Sequence, residues 1–243
     1  MNSLRDNEAL RGLLDRLHAA SEAQEAAIDG YYAGGAARPT GYEPEGSDGR
    51  RFWQDKYVAL DRDKAELTYA LARAAGARQV VEAGTSFGVS TLYLAAAVHD
   101  NTVDNRGGEG PGGGRVITCD IEPEKVAVAR RHFADAGLAD VIETRVGDIR
   151  QTLAENLDHE VDLLLLDIWA PVAADVIALV GPRLRVGGMV VADNTTVRRE
   201  LYAGLFAHLD DPANGFAVTT LPYSGGLCLA VRTSSPQQAA ARR

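Results

Sequence analysis

"RQVVEAGTSFGVSTLYLAAAV", residues 78–98, decides the fold: a β-branched run, a turn carrying two glycines, then an apolar stretch at helical spacing. Strand, glycine turn and helix in that order open a βαβ unit. The pattern repeats downstream. "RVITCD" (Arg115–Asp120) precedes "EKVAVARRHFADAG", and "VIETRV", "VDLLLLD" and "MVVAD" are each followed by a periodic segment. Strands alternating with helices require right-handed crossovers, hence a mostly parallel, doubly wound α/β sheet covered on both faces. The last two runs, "FAVTTLP" and "GLCLAVR", have only "YSGG" between them and predict a hairpin, so one edge is expected to be antiparallel.

Upstream, residues 4–28 carry Leu, Ala and Ile at helical spacing, and Asp29–Gly49 then breaks every period. A second helical stretch starts near Arg50, and "DKAELTYALARAAG" predicts an amphipathic helix closing on Gly76 as a left-handed cap. The expected organisation is a helical and loop appendage over 1–57, serving as substrate cover or dimerisation element, a catalytic domain over 58–234 and a tail over 235–243. The glycine-rich segment Asp100–Arg115 reads as a surface insertion. A phosphate cradle is the alternative there, but no strand feeds into it and no helix follows.

Acidic residues outnumber basic ones, 34 to 25, and the formal charge of −9 argues against a nucleic-acid partner. No stretch approaches the roughly 20 apolar residues of a membrane span, and the start of the chain lacks a signal-peptide apolar core. The expectation is a cytoplasmic protein with no membrane partner. Cys119 and Cys228 lie in apolar, strand-like runs and read as buried thiols rather than as a disulfide or zinc site.

Open parallel sheets bind ligands beyond the carboxyl ends of their strands, where strand order reverses. The first strand leads into "EAGTSFG", Glu82–Gly88, in which Gly84 and Gly88 allow a tight turn and close backbone approach, and Ser90 can cap the next helix or bond a ligand. The spacing is neither that of a dinucleotide fold nor that of a P-loop. The second strand ends in Asp120, which can accept both hydroxyls of a ribose, and the third runs into "VGDIRQ", where Asp148 can accept from an adenine amino group. Each acid can also be a helix cap: Asp120 or Glu122 for the helix beginning at Pro123, Asp148 for the one after. A glycine loop, an acid and an Asp on three successive strand ends favour a nucleoside-bearing ligand.

With those motifs, "VVEAGTSFG", Asp120, "GDI", "LLLLDIWA" and "VVADNTT", the chain resembles the class I S-adenosylmethionine-dependent methyltransferases, and more narrowly the catechol and caffeoyl-CoA type of metal-dependent O-methyltransferase, over roughly Val58 to Arg232. The resemblance implies a Rossmann-like, seven-stranded sheet with its last strand antiparallel. The accompanying expectation is a cytoplasmic, dimeric enzyme of secondary metabolism that methylates a hydroxyl of a small aromatic or natural-product acceptor. The resemblance places Glu82, Gly84 and Ser90 on the methionine part of the cofactor and Ile121 and Trp169 on the adenosine. Val58, Thr85, Ser86, Gly88, Asp120, Asp148, Ile149 and Asp167 complete that site. Asp167, Asp193 and Asn194 look like the three protein ligands of a Mg²⁺, an ion that keeps further positions open for a chelating acceptor; Asp167 thereby also positions the substrate.

The chain departs from the family just past Asp167. Relatives commonly place a proton-accepting lysine where "DIWA" has Ala170, so the general base is unassigned. His18, His99, His132, His159 and His208 all fall on helical or loop stretches away from the strand ends. Tyr57, Lys64 and Tyr223 lie in segments that border the pocket in relatives and read as surface or packing residues. Three alternatives stay open: a metal-independent O- or N-methyltransferase, a nucleoside-binding module without turnover, and an NAD-dependent oxidoreductase, whose glycine spacing is absent.

Overall fold

The computed structural model describes residues 2–35, 47–104, 113–154, 157, 159–197 and 199–235. The centre of the aperiodic Asp29–Gly49 stretch, residues 105–112 of the glycine-rich segment and the tail from residue 236 lie outside the described residues.

Seven strands form one sheet: β1 (Gln79–Ala83), β2 (Arg115–Asp120), β3 (Ile142–Val146), β4 (Val161–Leu166), β5 (Leu184–Ala192), β6 (Phe216–Leu221) and β7 (Leu227–Arg232). Their order is β3-β2-β1-β4-β5-β7-β6. The first five strands pair in parallel, and β7 is antiparallel to both β5 and β6. Strand order reverses between β1 and β4, which puts the binding crevice beyond Ala83 and Leu166.

Alternate residues of a strand face opposite sides, so a central strand must be apolar on both. Val80, Leu163, Leu165 and Val191 join one core, and Val81, Leu164, Leu166 and Val190 join the other. The first core is covered by α5 (Arg62–Ala74), α6 (Val89–Asp104) and α7 (Pro123–Asp135), the second by α8 (Ile149–Thr152), α9 (Ala173–Val180) and α10 (Ala203–Leu209). Helix α6 is buried almost all round, and its Ala95, Ala96 and Ala97 allow close packing. Gly76, at φ +59°, ends α5 as the sequence predicts.

The single helix expected over residues 4–28 is three: α1 (Ser3–Asp6), α2 (Glu8–Glu22) and α3 (Glu25–Ala33). The side chain of Asn2 accepts from the Arg5 amide, and that of Asn7 accepts from the Leu10 amide at 3.0 Å, restarting the helix where periodicity alone sees continuity. Helix α3 and α4 (Asp48–Trp53) also take residues from both ends of the predicted loop. The apolar face of α2, with Leu10, Leu13, Leu14 and Leu17, packs into the chain's own core and is not free for a second subunit.

A second correction concerns the glycine-rich segment. Its first residues, Asp100–Asp104, are the last turn of α6. Asp100 is fully buried and accepts from Ser3 N at 2.8 Å and Tyr69 Oη at 2.7 Å, tying α1 to the domain. Among the described residues, no helix is long and apolar enough to cross a membrane.

Candidate active site

The loop after β1 is shaped by its backbone. Gly84 and Gly88 have φ of +103° and +85°, and Ser86, at +46°, is a non-glycine residue in the left-handed region. A Cβ on Gly84 would stand 2.0 Å from the Asp167 carbonyl oxygen, so only glycine lets the β1 and β4 ends come this close. Gly84 N and Thr85 N both donate to Cys119 O, at 3.0 and 3.1 Å, locking the loop to β2. The Asp120 carboxylate receives Ser86 N at 2.6 Å and Glu122 N at 2.9 Å, one on each oxygen. Asp120 thus braces two loops, and each oxygen keeps a further lone pair for a ligand.

Beneath the loop lies Glu82, fully buried. Ser90 Oγ donates to its Oε1 at 2.6 Å, Thr118 Oγ1 to its Oε2 at 2.6 Å, and Thr91 Oγ1 also to Oε2. Burial pushes the Glu82 carboxyl up to about 7 even though the three hydroxyls favour its charged form. Thr85 Oγ1, 2.6 Å from Thr118 Oγ1, extends the network to the loop.

A small, partly open cleft lies here. Of the expected cofactor residues it is lined by Val58, Gly84, Thr85, Ser86, Ser90 and Asp167. Its other wall is the strand-like strap before α5: Tyr57 stacks on Phe87 with ring centroids 3.9 Å apart and donates its amide to Gln24 Oε1 at 2.7 Å. Ile121, Asp148, Ile149 and Trp169 sit outside this cleft. Asp148 caps α8 by accepting from Arg150 N at 2.9 Å, and it is ion-paired to the Arg150 guanidinium. Ile149 is a core residue at 1 % exposure. Trp169 meets Trp53 of α4 edge to face at 5.6 Å.

At the β4 and β5 ends the acids have a different environment. Asp167 N donates to Ala83 O and Asp193 N to Leu166 O, both at 3.0 Å, so the two residues follow neighbouring strands in step. Burial, the Asp193 carboxylate and Glu82 together push the Asp167 carboxyl well above the usual range. Burial also raises Asp193, against the pull of a lysine. That lysine is Lys64. It is 2 % exposed, with Nζ 2.8 Å from Asp193 Oδ1 and 2.8 Å from Asp61 Oδ2. Asn194, at φ +56°, donates Nδ2 to Asp193 Oδ2 at 3.0 Å. Its side chain sits over Gly225, where a Cβ would come within 2.3 Å of Oδ1. Thr195 N and Thr196 N donate to Gly226 O and Gly225 O, clamping this turn to the β6–β7 hairpin. Tyr202 Oη closes the group by donating to Asp193 O at 2.9 Å.

Sequence reasoning missed Lys64 because a lysine in the first turn of an amphipathic helix ordinarily faces water. The available signal was Asp61 three residues earlier, a spacing that puts both side chains on one face. Among the described residues, no three His, Cys, Asp or Glu side chains form a ready-made metal cage. The two acids here are joined by an amide instead.

Comparison with known proteins decides the family. A family described as "Methyltransferase domain" matches residues 81–195, from β1 to the turn after β5. A catechol O-methyltransferase from Mycobacterium tuberculosis (strain ATCC 25618 / H37Rv) is 32% identical over 168 residues, covering 69% of each chain. The chain belongs to the class I S-adenosylmethionine-dependent O-methyltransferases. The O-methyltransferase TomG from Streptomyces achromogenes, solved in complex with SAM and involved in tomaymycin synthesis, shares the fold with a TM-score of 0.61 at 23% identity, over 86% of this chain and 96% of that one. An O-methyltransferase from Bacillus cereus in complex with SAH gives 0.60 at 21% identity, over 72% and 83%.

Proposed function

We propose that this methyltransferase transfers a methyl group to a hydroxyl of a small aromatic or natural-product acceptor, with a divalent cation held by Asp167, Asp193 and Asn194. The observation that carries this reading is the concentration of acids at the β4 and β5 ends: burial and the Asp193 carboxylate push Asp167 up, burial pushes Asp193 up, and one lysine offsets only part of it. Such a pair is stabilised by a cation, and the donor set of two carboxylates and an amide is all oxygen, as Mg²⁺ prefers. The glycine cradle under Asn194 keeps its amide beside Asp193, which fits the same role. When bound, the ion supplies Lewis acidity that lowers the pKa of an acceptor hydroxyl.

The protein's own contribution is placement. The loop 84–88, braced by Asp120 and carried by the Glu82 hydroxyl network, offers backbone amides and Ser86 to the amino-acid end of the cofactor. Val58 and Tyr57 cover that end from the strap and exclude water. Asp120 is directed to the ribose, Ile121 and Trp169 to the adenosine faces, and the Asp148–Ile149 turn to the adenine edge. The methyl-bearing sulfonium is an activated donor, so no covalent enzyme intermediate is required. Asp167 borders both cleft and acid pair, and it orients the acceptor oxygen toward the methyl group.

A second reading, transfer without a metal, is favoured by Lys64, whose ammonium already faces Asp193, and by Ala170 in place of a lysine. Titration calorimetry with S-adenosylhomocysteine in Mg²⁺ and in EDTA, followed by a catechol panel, separates the two. Product only with Mg²⁺ supports the first reading, and equal product in EDTA supports the second.

A further inference from the structure

Lys64 lies on α5, three residues from one of the acids it meets, Asp61, and far in sequence from the other, Asp193. Its side chain is 2 % exposed and its ammonium is shared between Asp61, which is half exposed, and Asp193, which is 5 % exposed. Thr68 Oγ1 donates to Lys64 O at 2.8 Å within α5, and the Lys64 amide donates to Asp63 Oδ1 at 2.7 Å, so the residue is held from both sides. Burial alone makes an ammonium easier to deprotonate, but the two carboxylates outweigh it and keep Lys64 charged.

We propose that Lys64 is a resident counter-cation of the acidic site, a positioning residue whose buried ammonium holds the Asp193 carboxylate in place against the start of α5. Three features support this. Asp193 Oδ1 faces the Lys64 ammonium while its Oδ2 is taken by Asn194, so both oxygens are oriented. No hydrogen bond or ion pair engages the Asp167 carboxylate among the described residues, so the compensation is confined to one of the two acids. Lys64 also ties the strap before α5, which covers the cofactor end of the cleft, to the strand end that carries the acceptor site. The proposal rests on the reading of Asp167, Asp193 and Asn194 as the acceptor's acid site.

Thermal melting in EDTA tests it with Lys64→Met, Asp193→Asn, the double variant and Lys64→Arg. Removing one member of a buried ion pair is expected to lower the melting temperature of K64M by about 10 °C. The double variant is expected to melt close to D193N alone, because the buried pair is then removed as a unit and the half-exposed Asp61 keeps water as its partner. K64R, which keeps the charge, is expected to recover most of the loss. Additive losses in the double variant, or a K64M protein that melts with the wild type, overturn the proposal. If K64M does not fold, folding of the double variant supports the pairing and its failure overturns it. The melting cycle is independent of turnover, so failure of the metal reading appears in the activity assay and failure of this one in the cycle.

Discussion

Glu82 lies in β1 and Asp167 follows the neighbouring β4, and both carboxyls are pushed upward by burial, yet they are treated in opposite ways. Glu82 receives three hydroxyl hydrogen bonds and no cation. Among the described residues, Asp167 receives neither, and it faces a second carboxylate that is paired with Lys64. The difference separates scaffold from site. A buried acid satisfied by hydroxyls stiffens the loop above it, whereas one left unsatisfied at a cleft wall is poised for a partner that comes from outside.

The comparison breaks most visibly at Asp167. Asp167→Asn removes a like charge without removing a bond, so the protein is expected to melt at or above the wild-type temperature while turnover falls on the order of 10²- to 10³-fold. Lower stability with normal turnover would place Asp167 in the scaffold. Gly84→Ala attacks the junction between the two regions. A Cβ 2.0 Å from a carbonyl oxygen, at φ +103°, is expected to cost about 4 kcal/mol in chemical denaturation.

Glu82→Gln sharpens the other half. The Glu82 carboxyl is raised from 4.5 to about 7 in the folded chain, so its contribution is fully present below pH 4.5 and is lost as pH rises through 7. Over that window the wild type is expected to lose about 3 kcal/mol through this group, and E82Q should show a correspondingly flatter dependence of unfolding free energy on pH. Identical slopes would show that Glu82 stays charged. Gly225→Ala is the mildest probe. The new methyl meets the end of an amide side chain rather than backbone, but a φ of +71° is strained for any residue with a Cβ, so stability should fall by about 2 kcal/mol. Turnover should drop through displaced Asn194, with S-adenosylhomocysteine affinity unchanged by calorimetry.

These two regions were not equally legible in the sequence. The strands and the turn from Gly84 to Gly88 carry local signals, β-branched runs and glycines at positions needing positive φ, and each appears where expected. Asp193 and Asn194 stood out because polar residues ended an apolar run. Lys64 carried only the local signal of Asp61, because its other partner, Asp193, follows β5, and only the folded sheet brings a helix start on one side to that strand end. The hydroxyls around Glu82 were hidden for the same reason: Thr118 belongs to β2, and a threonine in a strand ordinarily signals only β-propensity. The helix break at Asn7 was missed because spacing reports which face is apolar, not where hydrogen bonding restarts.

The most direct test of the central claim is methyl transfer from S-adenosylmethionine to a catechol, followed by mass spectrometry of the product, in EDTA and after Mg²⁺ is restored. An acid pair that works through a cation predicts methylated product with Mg²⁺, loss of it in EDTA and recovery on adding the ion back. Equal turnover in EDTA would contradict the metal assignment and leave Lys64 as the only cation the site uses.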